Sequence, residues 1–187
     1  MAFKFTCLTI PEVILVEPSI LTDSRGYFYE AYKHSAFVQG GINVNFVQEN
    51  QSKSKKGVIR GLHYQLTPKA QGKLVRVISG EIFDVAVDMR IGSPTYGKWV
   101  GEKLSCENKK MLYVPVGFAH GFSVLSDTAR VIYSCSDEYS PKHESGIIYN
   151  DKDLNIDWQV AEPILADKDK ALKSFKDAEN NFKYHEA

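Results

Sequence analysis

Apolar residues in this chain gather in short runs, each bounded by polar or turn-forming positions, the pattern of β-strands. Val13-Ile14-Leu15-Val16, Leu74-Val75-Arg76-Val77-Ile78, the run 81–87, the run 98–104, Met111-Leu112-Tyr113-Val114 and Ala129-Arg130-Val131-Ile132-Tyr133 are rich in β-branched and aromatic residues. Gly, Pro, Asn or Asp bound each of them, which marks strand ends. Ser79-Gly80 leaves two residues between two runs, the spacing of a tight hairpin, and Ser126-Asp127-Thr128 reads as another turn. Many short strands without alternating long helices predict an antiparallel sandwich or barrel. Helical spacing is confined to Lys33 to Gln39, stopped by Gly40-Gly41, and to a charged stretch from Asp167 to about Asn180. The latter is expected to cap one mouth of the barrel. No repeat or low-complexity linker divides the chain, so residues 1–187 are expected to form one domain, with 160–187 as a helical or irregular extension.

Composition narrows the class. Lys+Arg and Asp+Glu balance at 23 each, so the 187-residue chain carries no net charge. That argues against nucleic acid or an anionic membrane as partner, since both select a basic excess. A local basic pocket for one anionic small molecule remains open. The first residues lack the basic-then-apolar layout of a signal peptide, and the apolar runs are too short to cross a bilayer. Cys7, Cys106 and Cys135 are odd in number and form no CxxC pair. A reduced, cytoplasmic protein is the expectation.

Histidine is the side chain that changes charge near neutral pH, so the five histidines come next. His185 is terminal, and His34 and His143 sit in polar stretches that read as surface. His63 and His120 end segments that read as buried strands, 57–65 and 114–122. Alternation puts Ile59, Gly61 and His63 on one face and Arg60, Leu62 and Tyr64 on the other. Arg60, Gln65, Gln71 and Lys73 gather more hydrogen-bonding groups around His63 than an ordinary apolar core holds.

Pro115-x-Gly117-x-x-His120 resembles the second motif of the cupin superfamily, small antiparallel jelly-roll barrels. Metal-binding cupins carry His-x-His in their first motif; here stands His63-Tyr64-Gln65, with an amide in the second place. A transition metal needs three or four good ligands, so no metal is expected.

Longer motifs extend the resemblance from about Ile10 to Asp169. They are Asp23-x-Arg25-Gly26-x-Phe28-x-Glu30, Gln48-Glu49-Asn50-x-Ser52, 57–65, 71–77, 80–90, Ser93-Pro94-Thr95-x-Gly97, 114–122, Tyr133-x-Cys135 with Tyr139, the run 150–158 and Lys168-Asp169. In this order and spacing the chain resembles the dTDP-4-dehydrorhamnose 3,5-epimerases. It departs at Gln159, where the family often has Pro, and at Tyr149, where Trp is common.

The resemblance implies a mainly β fold, a cupin-like antiparallel jelly-roll barrel with a few short helices, mostly C-terminal. It implies inversion of C3 and C5 of a dTDP-4-keto-6-deoxy-hexose without any cofactor. Both carbons lie α to the C4 ketone, so the site needs a base, an acid on the opposite face and positive charge near O4. By resemblance His63 is the base, Asp169 its orienting carboxylate, Tyr133 the acid and Lys73 the cation at O4. Arg25, Glu30, Gln48, Asn50, Arg60, His120, Tyr139, Glu144 and Lys168 match substrate-binding positions. Phe28 and Tyr139 are candidate platforms for thymine. Asp84, on an inward strand face, is expected to orient Lys73 or His120. The resemblance also implies a homodimer in which some nucleotide contacts come from the partner, and the strand Val13 to Val16 is a candidate to pair across it. Alternatives are an epimerase acting at C3 or C5 alone, a non-catalytic sugar-nucleotide-binding cupin, and a metal-dependent cupin oxygenase.

Overall fold

A computed structural model describes residues 2–184. The strands are Phe3–Cys7 (β1), Ile14–Pro18 (β2), Leu21–Asp23 (β3), Gly26–Phe28 (β4), Gln48–Lys55 (β5), Ile59–Gln65 (β6), Lys73–Ser79 (β7), Glu81–Asp88 (β8), Trp99–Ser105 (β9), Met111–Val114 (β10), Phe118–Val124 (β11), Thr128–Cys135 (β12) and Glu144–Gly146 (β13). Two short helices, His34–Gln39 (α1) and Asp167–Lys170 (α2), join them. One antiparallel sheet has the order β1-β2-β10-β7-β12-β5, the other β13-β6-β11-β8-β9, and β3-β4 forms a separate hairpin. Two facing antiparallel sheets with strands that switch between them make a jelly roll.

Strand β8 shows how the pattern builds the layers. Ile82 and Ala86 belong to the cluster between the sheets, whereas Phe83, Val85 and Val87 belong to a cluster on the outer face. Both faces are buried, so the strand is apolar almost throughout. The inner cluster also holds Val75 and Val77 of β7, Phe118, Phe122 and Val124 of β11, and Ala129 and Val131 of β12. The outer face of the six-stranded sheet is covered by α1 through Phe37, which packs with Phe3, Ile14 and Met111.

Four local expectations change. Ser79-Gly80 is not a hairpin: β7 and β8 lie in different sheets, and the pair is a corner where the chain crosses. Gly80 has φ +80°, and a Cβ there would meet Thr128 O at 2.1 Å. The turn at Ser126 is the matching corner from β11 to β12, and its Oγ accepts from Glu81 N and donates to Thr128 O, each at 2.8 Å. The strand Val13 to Val16 has no free edge, because β2 lies between β1 and β10. Helix α2 stops at Lys170, far short of Asn180. Tertiary pairing overrides the helical spacing. Lys173 bridges Ile147, Phe175 N donates to Asp151 Oδ2 at 2.7 Å, and Phe182 enters the outer cluster. The segment after α2 therefore covers the outer face of the five-stranded sheet and does not cap a mouth. His185 lies outside the described residues.

One charged knot is sealed beside this layer. Asp88, fully buried, accepts from Arg90 Nε at 2.9 Å and Nη2 at 2.8 Å, and from Ser93 Oγ and Thr95 Oγ1 at 2.6 Å each. Arg90 stacks over Phe118 at 4.6 Å and faces Tyr184 at 5.0 Å. Burial pushes the Asp88 carboxyl up, but these donors outweigh it and hold it below the usual range. A carboxylate with a depressed native pKa stabilises the fold above its unfolded pKa and loses that contribution as pH falls. Asp88→Asn should cost about 3 kcal/mol at pH 7, because Arg90 loses its fully buried carboxylate and keeps only the partly exposed Glu12. In urea titrations the gap between wild type and variant should narrow as the pH drops below about 4. A gap that is constant from pH 7 to pH 3 would show that the charge on Asp88 contributes nothing.

Candidate active site

The site begins with an irregularity in β6. Against β11, His63 pairs with His120 and Arg60 with Phe122, so three steps on one strand match two on the other. The extra residue is a β-bulge, which shifts side chains from one face to the other. Gly61 makes it possible: its φ is +114°, and a Cβ there would sit 2.6 Å from Gly121 Cα. Arg60 and His63 consequently line the same cavity, which strict alternation had placed on opposite faces.

That cavity, about 490 Å³, opens between the sheets. His63 of β6 and His120 of β11 stand on the five-stranded wall; Tyr133 of β12, Asn50 and Gln48 of β5 and Lys73 of β7 stand on the six-stranded wall. His63 Nε2 lies 2.9 Å from Asp169 Oδ1, supplied by α2. Burial raises the Asp169 carboxyl, yet the His63 hydrogen bond and charge, Gly61 N–H and Lys168 hold it below the usual range. An ionised Asp169 accepts from Nε2–H, which leaves Nδ1 of a neutral ring with the free lone pair.

Lys73 reaches across the cavity and donates from Nζ to His63 O at 3.4 Å. Burial pushes its ammonium below the usual lysine range, opposed by Cys135, Asp84 and Glu144. Asp84, fully buried, bonds His120 Nε2 through Oδ1 at 2.8 Å, and its Oδ2 has no hydrogen-bond partner among the described residues. Asp84 thus orients His120 directly and acts on Lys73 through its charge. Burial raises the Tyr133 phenol, which stays protonated at neutral pH.

At the mouth, Tyr139 OH donates to Glu144 Oε2 at 2.8 Å and Lys168 Nζ to Glu144 Oε1 at 3.2 Å. Burial raises Glu144, but these two donors and the Lys168 charge outweigh it and lower its pKa. Gln48 donates to Asn50 Oδ1 at 3.0 Å, and Arg60 Nε donates to Ser54 Oγ at 3.0 Å. The candidate residues line this cavity except Arg25, Glu30 and Phe28, and Asp84, which lies behind His120. Arg25 sits at the β3–β4 turn, paired with Asp23 at 2.6 Å and largely exposed; Glu30 faces Lys33 at 3.8 Å. Phe28 is 66% exposed on the same hairpin.

Sequence reasoning gave no role to three contributors. Ser54 holds Arg60. Cys135 Sγ accepts from Asn50 Nδ2 at 3.7 Å. Ile164, Leu165 and Ala166 form a strap over the cavity, tied down by Ile59 N to Ile164 O at 2.9 Å and Ile164 N to Gly57 O at 2.8 Å. Period-two alternation along β5 and β12 was the signal for the first two; the strap's position comes from pairing over a hundred residues of chain and left no local mark.

A jelly roll with a His–Asp pair on one wall, a tyrosine on the other and a buried lysine between them defines a cupin-type enzyme built for proton transfer. A family model described as dTDP-4-dehydrorhamnose 3,5-epimerase matches residues 7–177. The dTDP-4-dehydrorhamnose 3,5-epimerase of Pseudomonas aeruginosa is 53% identical over 178 residues, covering 94% of this chain and 98% of that one. The crystal structure of a dTDP-6-deoxy-D-glucose-3,5-epimerase from Legionella pneumophila in complex with dTDP-4-keto-L-rhamnose superposes with a TM-score of 0.90 at 48% identity, covering 93% of each chain. A 3′-monoepimerase from Streptomyces bikiniensis in complex with dTDP-quinovose gives a TM-score of 0.85 at 34% identity, over 90% of this chain and 86% of that one. The chain belongs to the dTDP-4-dehydrorhamnose 3,5-epimerase family.

The electrostatic arrangement has a direct test in the free protein. Lysine side-chain NMR should show one resonance, absent in Lys73→Met, that titrates below the surface lysines. Asp84→Asn should move it lower still, because removing a negative neighbour disfavours the ammonium form. A Lys73 midpoint at or above that of the surface lysines would contradict the assigned effect of burial.

Proposed function

We propose that this enzyme converts dTDP-4-dehydro-6-deoxy-D-glucose to dTDP-4-dehydro-L-rhamnose by inverting C3 and C5, the step that leads toward dTDP-L-rhamnose. The observation that carries this reading is the separation of base and acid onto facing walls of one cavity, with a buried cation between. His63 Nδ1 removes the proton α to the ketone while Asp169 stabilises the imidazolium. Lys73 and His120 stabilise the negative charge that develops on O4. In a buried site such a donor is worth about 3–4 kcal/mol. Tyr133 returns a proton from the opposite wall; once His63 has released its proton to solvent and the Tyr133 phenolate has taken one up, repetition at the second α carbon completes the conversion. Every role is filled by a side chain, so no cofactor or metal is needed. The substrate is a nucleotide sugar, which suits a cytoplasmic enzyme; no described helix is long and apolar enough to cross a membrane.

Arg60, Lys168, Gln48, Asn50 and Tyr139 serve the nucleotide end, with Glu144 ordering Lys168 and Tyr139. Arg25, Glu30 and Phe28 join them from a second copy of the chain in a homodimer. Their hairpin exposes Leu21, Tyr27 and Phe28, an apolar surface that a partner would cover.

Tyr133→Phe separates acid from scaffold. Proton removal and the enolate survive, so the variant should take up deuterium from D2O at an α carbon with configuration retained while inverted product falls by at least about 100-fold. A parallel decline of exchange and inversion would remove Tyr133 from the acid role. Product NMR with wild type reads out both centres; inversion at C3 alone would make this a monoepimerase.

Subunit exchange tests the shared site. His63→Asn and Arg25→Ala should each be weak alone. Mixed dimers hold one site with an intact His63 and a partner's intact Arg25, so mixing should restore about a quarter of wild-type activity. No recovery on mixing would mean that Arg25 serves its own chain or none.

A further inference from the structure

Gln65 lies two residues beyond His63 on β6, lines the cavity and is only 3% exposed. Its carboxamide is spent on main chain. Nε2 donates to Lys69 O at 2.6 Å and to Glu138 O at 3.2 Å, and Oε1 accepts from Ser140 N at 2.7 Å. Two carbonyls on one side and an N–H on the other leave only one orientation of the amide that satisfies all three. Glu138 and Ser140 flank Tyr139, so Gln65 grips the backbone on both sides of that residue. The stretch from Ser136 to His143 has no strand or helix of its own to hold it. Gln71 adds a bond from Nε2 to Asp137 O at 2.7 Å, and Gln48 Oε1 accepts from Tyr139 N at 2.8 Å.

The geometry points to Gln65 as a positioning residue that holds Tyr139, and through its hydroxyl Glu144, at the cavity mouth where the nucleotide is bound. The inference deepens the substrate reading above and rests on it for what Tyr139 touches. Where a metal-binding cupin places a ligand, this chain places the clamp on its mouth loop. Gln65 acts on binding, and His63, on the same strand, acts on chemistry.

The test compares Gln65→Met, which removes all three bonds, with Gln65→Glu, which keeps the acceptor for Ser140 N but turns a carboxylate oxygen toward two carbonyls. Both should weaken dTDP binding by roughly 10-fold and raise KM by more than they lower kcat. In a Tyr139→Ala background Gln65→Met should add less than about 2-fold, because the two act through one contact. Backbone hydrogen exchange over 137–141 should quicken in both variants while the barrel strands keep wild-type protection. The clamp is overturned by unchanged exchange in that segment, by additive effects with Tyr139→Ala, or by a fall in kcat at constant KM. If wild-type protein binds no dTDP, the substrate reading fails, and the exchange comparison alone still decides the clamp.

Discussion

The hydrogen bond from His63 to Asp169 joins residues 106 positions apart and sets the terms for the rest of the molecule. The His63 ring is oriented by a fixed carboxylate, and that carboxylate comes from a segment that must first travel round the barrel. Residues 147–164 cover the outer face of the five-stranded sheet, Ile164 pairs with Val58, and only then does α2 turn Asp169 toward the cavity. Beyond α2 the chain returns to the outer face through Lys173, Phe175 and Phe182. The apolar contacts of that layer hold the Asp169 carboxylate in place. The irregular C-terminal quarter is thus part of the site, although it contributes little regular structure.

The barrel interior is divided along its length. At one end β7, β11 and β12 turn Val77, Val124, Ala129 and Val131 inward, and the sheets close on an apolar cluster. At the other end the same strands turn Lys73, His120 and Tyr133 into the cavity. Burying an ammonium and two carboxylates there costs free energy that an apolar core would not spend. The return is functional: in a site sheltered from water, a charge that develops during reaction is stabilised more strongly than it would be in solution. Burial has opposite consequences for the two key groups. It makes the Lys73 ammonium easier to deprotonate and the Tyr133 phenol harder, while Asp84 and Glu144 help keep the lysine charged.

Strand positions were legible in the chain because both faces of β8 and β11 are buried, and β-branched runs between turn residues announce such strands. The resemblance that named the family also assigned His63, Lys73, Tyr133 and Asp169 their roles, and the fold brings all four to one cavity. Pairing was not legible. Ser79-Gly80 has the length of a hairpin, yet the corner carries the chain to the other sheet, since spacing records how many residues lie between strands and not which strands become neighbours.

By itself the sequence determined the main buried strands and the stock of chemical groups, because these depend on residues near one another in the chain. Tertiary structure decided which groups meet. The bulge at Gly61 brought Arg60 round to the face of His63, which depends on how closely Gly121 of the neighbouring strand approaches. Helical spacing after Lys170 gave way to pairing with Ile147 and Asp151. Arg25 stayed on the exposed β3–β4 hairpin and Glu30 just beyond it, both away from the cavity. Each of these outcomes depends on a contact between distant segments, and no local pattern encodes such a contact.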